Sequence, residues 1–267
     1  MDPRAALTCG SADRVPEMTR AQPGAPARLP FSTASTALAA EISGELWSAA
    51  GLDADVRAPL LVAHDGPAYE HQADLTAYLQ DHVERGTLPA LRAALLQAPP
   101  RDRWYSANPA YATAMAEEVM PYLLRRWPTS CAVGVGASLG ALAWLHAQAS
   151  YPQVVDGLFL QSGSFFRPET DPQESSFSEF PAIVRFVASV HRGSRPTRPV
   201  PTVVTCGVDE ENLANNRRMV RVLRRLGYHV RFAVVPGGHD YTSWRAALDP
   251  YLPNLVRAAV SANAGAR

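Results

Sequence analysis

Gly136-Ala137-Ser138-Leu139-Gly140 has the spacing of a serine nucleophile held at the tip of a sharp turn. Before it, Cys131, Ala132, Val133 and Val135 form a short apolar run that reads as a buried strand. After it, Leu142, Leu145 and Ala149 recur on one face of a helix, which Pro152 ends. Strand, turn and helix in that order put Ser138 at the carboxyl edge of a parallel sheet, over a helix N-terminus and the amide of Leu139. The glycines suit this geometry, because strand and helix pass too closely on either side of the turn to admit side chains. A serine hydroxyl attacks a carbonyl only when a base takes its proton, and the base must be oriented by an acceptor on its other nitrogen. Both groups lie downstream. Asp209, Glu210 and Glu211 follow one predicted strand, and Gly237-Gly238-His239 follows the next, so the order is serine, acid, histidine. Of seven histidines, His239 is the strongest candidate for the base, since glycines precede it on a loop at a strand's carboxyl end.

These groups need an alternation of strands and helices to hold them, and the chain supplies one. Alternating small, β-branched and apolar residues from Phe31 to about Ala50 predict one or two edge strands. Pro59 to Ala63 is a buried strand that ends in His64-Asp65-Gly66-Pro67, a tight loop of the kind that offers backbone amides to ligands. His64 and Asp65 beside it are candidates for substrate contact, and His64 is equally a candidate for a structural role. Helices are expected over roughly 70–84 and, from the Asn108-Pro109 cap, over 110–124. Beyond the serine unit, strands are predicted over 154–160, 202–206 and 229–235, with a helix over 212–226 and a last helical stretch interrupted at Asp249-Pro250. Residues 165–200 break the alternation, with a helix over about 181–191, and are expected to cover the pocket. The arginines of this segment (Arg185, Arg192, Arg195, Arg198) are either a solvated surface or a grip for an anionic substrate, Arg195 being the substrate-binding candidate. The fold class is α/β: a mostly parallel, doubly wound sheet in one domain over 31–267, after a loose extension over 1–30 that lacks apolar periodicity.

Composition removes whole classes of function. All 25 basic residues are arginine, so Schiff-base, pyridoxal-phosphate and ordinary P-loop chemistry are excluded with the missing lysine. Net charge is zero, which gives no electrostatic case for nucleic acid or an anionic membrane, and no apolar run reaches the roughly 20 residues of a membrane helix. No histidine pair has metal-ligand spacing. Three cysteines, two of them in apolar strands, form no disulfide framework, and no signal-peptide core is visible; a cytoplasmic protein is expected.

Six blocks in order, LLVAHDGPAY, RWYSANPAYA, GVGASLGALAWLHAQASYP, GLFLQSGSFF, TCGVDEENLANNRRMV and GGHDYTSWRAAL, resemble the esterase family that includes enterochelin esterases and esterase D. The similarity covers roughly residues 55–250 and is closest to bacterial enterochelin-esterase-like members. It implies an α/β-hydrolase fold and a serine carboxyl-ester hydrolase that needs no metal or organic cofactor and takes a small-molecule ester, with a siderophore lactone among the candidates. It also places the triad on Ser138, Glu210 and His239, since the family's acid stands three residues after the loop glycine, here Gly207. The oxyanion hole departs from the pattern of related acyltransferases. The residue after Asp-Gly, which donates an amide there, is Pro67 here and has none, so Leu139 is the first donor expected, with Gly66, Ala68 or another group as the second. Acyl transfer to a sugar or lipid alcohol, and an inactive binding scaffold, are the rival readings.

Overall fold

The computed structural model of the chain describes residues 28–193 and 198–265. Among the described residues eight strands, numbered in chain order, form one sheet in the order β1 (Arg28–Ser35), β2 (Ala40–Ser48), β4 (Arg92–Gln97), β3 (Ala58–Ala63), β5 (Thr129–Ala137), β6 (Gly157–Gln161), β7 (Thr202–Gly207) and β8 (Val230–Val235). β1, β2 and β4 pair antiparallel in succession; β4, β3, β5, β6, β7 and β8 run parallel. This is the α/β-hydrolase arrangement. β1 begins at Arg28 paired with Trp47, so Arg28, Leu29 and Pro30 belong to the sheet and not to an extension.

The helices cover both faces. α1 (Gly66–Ala73) and α2 (Leu75–Glu84) lie on one face with the C-terminal α10 (Tyr251–Gly265), where Tyr69, Leu79, Leu252 and Val256 pack with Leu61, Val133 and Phe159. The other face carries α3 (Arg101–Tyr105), α4 (Pro109–Thr113), α5 (Met120–Arg126), α6 (Leu139–Ser150), α7 (Phe180–Arg192) and α8 (Leu213–Arg225), packed over Val62, Leu158 and Val204. α9 (Tyr241–Ala246) follows β8 and leads into α10.

Two departures from expectation have physical causes. The stretch read as one helix over 110–124 widens into a π-helical turn over Ala114–Val119, with the Met120 amide donating to Met115. Pro121 follows at once, and having no N–H it leaves the regular ladder short of one donor. The stretch read as a helix over 70–84 is two helices, broken at Asp74 in the left-handed region (φ 46°).

β5 runs down the middle of the sheet and delivers the site. A Cβ on Gly136 would lie 2.5 Å from the Gly140 backbone, so α6 lies directly against the strand only because that position has no side chain.

Candidate active site

Four loops converge at the carboxyl edge because the parallel ladder continues one step past each strand. The Ser138 amide donates to Gln161 O (2.9 Å), Ser162 to Thr205 O (2.8 Å), and Val208 to Val235 O (2.8 Å). The residues just beyond β5, β6, β7 and β8 are thereby held side by side. Ser138 sits at the elbow with φ 55° and ψ −122°, a backbone that costs on the order of 1–3 kcal/mol for a non-glycine residue and that the surrounding packing enforces. Its Oγ lies 3.1 Å from Ser164 Oγ, and it faces a cleft of about 310 Å³.

Glu210 and His239 meet across the same cleft. His239 Nδ1 lies 2.7 Å from Glu210 Oε2, and the carboxylate's other oxygen accepts from Ser162 Oγ (2.6 Å) and the Gly207 amide (2.7 Å). Since an acceptor faces Nδ1, the proton belongs on that nitrogen, leaving Nε2 as the basic one. Burial alone would raise the Glu210 carboxyl, yet the hydrogen bonds from His239, Ser162 and Gly207 together hold it below the usual carboxylate range. Gly207 makes the meeting possible: a Cβ there would strike Gly237 O at 2.3 Å, so the β7 and β8 loops come this close only because position 207 has no side chain. Asp240 then caps α9 through the Ser243 amide (2.8 Å), and Ser243 Oγ accepts from the Gly238 amide (3.1 Å), which fixes the loop carrying His239.

The structure separates the other sequence candidates. Asp209 and Glu211 are exposed, whereas the Glu210 side chain is fully buried against His239. Leu139 lines the cleft at the foot of α6. Gly66 does not line it and is buried against the Leu95 backbone; the Ala68 amide is already given to Asp65 O (3.0 Å). His64, a candidate for substrate contact, is wholly buried: Nδ1 lies 3.0 Å from Gly140 O and the ring stacks on Trp144 at 4.6 Å. Asp65 is also withdrawn, since Arg101 grips its carboxylate at 2.8–3.0 Å. Neither residue lines the cleft. Arg195 lies outside the described residues, and Arg198 is spent on Asp156 and the carbonyls of Pro152 and Val155. Arg185 and Arg192 line two other hollows.

Sequence reasoning passed over part of the wall. Ser164 and Asn212 line the cleft, as do Phe166, Glu174 and Phe177 from the 165–200 segment. That segment covers the site only through its first half, because α7 buries Ile183 and Val187 in the core. Behind Glu210, Trp244 Nε1 donates to Ser162 Oγ at 3.0 Å. The available signal was Gln161-Ser162-Gly163-Ser164, polar residues crowded at the end of a buried strand. Among the described residues no group of three or more His, Cys, Asp or Glu side chains is placed to hold a metal ion.

Comparison with known proteins identifies the family and the fold. A curated relative, the iron(III) enterobactin esterase of Dickeya dadantii (strain 3937), is 29% identical over 208 residues, which is 73% of this chain and 47% of that protein. The chain thus spans about half of that relative's length. Among solved structures, a ferulic acid esterase matches with a TM-score of 0.73 at 18% identity over 88% of this chain and 99% of its own. The enterochelin esterase of Shigella flexneri matches with a TM-score of 0.73 at 21% identity, over 88% of this chain and 60% of its own. The model of the family described as Putative esterase matches residues 49–255, most of the chain. The chain therefore belongs to the putative esterase family.

Proposed function

We propose that the protein is a serine carboxyl-ester hydrolase with Ser138, His239 and Glu210 as its triad. The observation that carries this reading is the buried Glu210 carboxylate bonded to His239 Nδ1, on the wall of the cleft that the strained Ser138 faces. His239 Nε2 takes the Ser138 proton as Oγ attacks the ester carbonyl. No hydrogen bond joins Ser138 Oγ to His239 in the described structure, a separation common in free enzymes and closed when substrate binds. The oxyanion of the tetrahedral intermediate is held by the Leu139 amide at the foot of α6; Gly66, which does not line the cleft, could serve as the second donor only if its loop shifts when substrate binds. Each such donor contributes about 3–4 kcal/mol in enzymes where it has been removed. His239 returns the proton to the leaving alcohol, and water repeats the sequence on the acyl-enzyme. Glu210 stays ionised throughout and stabilises the imidazolium.

The reading takes the enzyme to be cytoplasmic, supported by the free, buried thiols of Cys131 and Cys206. No helix among the described residues is long and apolar enough to cross a membrane. The test is a fluorophosphonate probe with a panel of aryl and siderophore esters. Wild-type protein is expected to be labelled at Ser138 and to hydrolyse at least one ester, and Ser138→Ala to do neither. Labelling that survives in Ser138→Ala overturns the assignment.

A further inference from the structure

The wall of the Ser138 cleft carries carboxylates that catalysis does not use. Glu210 is committed to His239, Ser162 and the Gly207 amide, but Glu174 and Glu211 also line the cleft. Neither carboxylate forms an ion pair among the described residues, and their single hydrogen bond there is a long one from Gln173 Nε2 to Glu211 Oε2 (3.4 Å). His239 is the cleft's one basic side chain among the described residues, and Glu210 holds it. The arginines nearest in sequence do not line the cleft: Arg167 pairs with Glu169, Arg185 and Arg192 line separate hollows, and Arg217 and Arg218 lie exposed on α8.

A second, independent feature gives the ligand its shape. Phe166 stacks on Phe180 (6.2 Å, 27°) and so presents a fixed aromatic wall, with Phe177 beside it on the same cleft. At about 310 Å³ the cleft is at the small end of ligand sites. Aromatic faces attract cations and apolar rings, and two uncompensated carboxylates beside them repel anions.

We propose that Glu174 and Glu211 are specificity residues that make this an anion-excluding cleft, taking esters whose group against Phe166 and Phe177 is compact and uncharged or cationic. Polyanionic esters, an iron(III) tris-catecholate among them, are turned away by charge as well as by size. The proposal rests on the ester-hydrolase reading and deepens it. Discrimination of this kind comes from the repulsive element more than from added attraction.

The experiment uses p-nitrophenyl 3-phenylpropanoates bearing trimethylammonio, tert-butyl or sulfonato groups at the ring para position, three tetrahedral substituents of similar bulk and different charge. At low salt the cationic and neutral esters are expected to exceed the sulfonate in kcat/KM by about tenfold or more, and about 0.5 M salt should narrow the gap. In the double variant Glu174→Gln, Glu211→Gln the ratio should fall to within about threefold. The ratio is the readout, so a change in overall rate does not confuse it. Equal turnover of all three esters by the wild type, or a ratio unchanged in the double variant, overturns the proposal and leaves the hydrolase standing. Failure to cleave any of the three while the fluorophosphonate probe still labels Ser138 overturns the proposal and leaves the hydrolase standing; failure of both cleavage and labelling sinks the hydrolase reading and the proposal with it.

Discussion

His64 and His239 both stand just past a parallel strand at the carboxyl edge of the sheet, yet they differ in every property that decides what an imidazole can do. His64 follows β3 and is closed in by Trp144, Tyr105 and the Gly140 carbonyl. Burial, opposed by that carbonyl and aided by the Arg101 charge, holds it down to about 3, so it stays neutral. His239 follows β8 with 40% of its side chain exposed to the cleft and a buried carboxylate on Nδ1. Position past a strand therefore nominates a residue, and access together with the partner on the second nitrogen decides whether it can act. The largest expected effect tests this contrast directly. His239→Ala should lower kcat on an aryl ester by about 10⁵–10⁶-fold, as loss of a triad member does. His64→Asn, whose amide can still donate to Gly140 O, should stay within about tenfold of wild type. Comparable losses in both variants, with folding intact by circular dichroism, would break the contrast.

The same comparison sharpens at the acid. Glu210→Gln should cost about 10³–10⁴-fold in kcat with KM little changed, because the amide no longer secures the His239 tautomer. Asp209→Asn and Glu211→Gln, whose side chains are exposed, should each cost less than about tenfold on a neutral ester. A large loss at Asp209 instead would mean that the β7 loop rearranges when substrate binds.

Much of this was legible in the chain, and the reason is local. The Ser138 elbow, the alternation from β5 to β8 and the glycine before His239 are set by neighbours in sequence. What escaped depends on tertiary contact. β4 is Arg-Ala-Ala-Leu-Leu-Gln, with no β-branched or aromatic residue, and becomes a strand because β2 and β3 flank it in the sheet. Glu210 could be chosen over its neighbours only by resemblance, since three adjacent carboxylates on a loop look alike until burial separates them. The withdrawal of Asp65 could not be read either, for its partner Arg101 stands 36 residues away.

A smaller effect is expected behind the acid. Indole N–H can only donate, so Trp244 Nε1 directs its proton to Ser162 Oγ, and the Ser162 proton is left to point at Glu210 Oε1. Ser162 thus acts through Glu210 as a positioning residue. Ser162→Ala should lower kcat by about tenfold, in keeping with the loss of one charge-assisted hydrogen bond. It should also move the acid limb of the kcat/KM profile to higher pH, because one of the donors holding the carboxylate ionised is gone. An unshifted acid limb with reduced kcat would give Ser162 a packing role only, and Ser162→Thr should restore the limb if the hydroxyl is what matters.

The last effect concerns stability and belongs to His64. Its Nδ1 proton is committed to Gly140 O, and Nε2 is buried with no partner among the described residues, so a second proton has no acceptor to meet. The folded state binds that proton only near pH 3, whereas the unfolded chain binds it near the ordinary value of 6.5. Between those values the unfolded state carries more protons than the folded one, so stability must fall as pH falls. The slope for one such group is about 1.4 kcal/mol per pH unit once the pH is well below 6.5. His146, held down to about 4 by burial, adds a term of the same sign that is untouched by changes at His64. His64→Asn will be less stable at pH 7 through lost stacking on Trp144, but its unfolding free energy from urea titrations should fall less steeply between pH 6 and pH 4.5, by about one proton's slope. Identical slopes in wild type and variant would mean that His64 takes up its proton in the folded state. The contrast with His239 would then lose its physical basis.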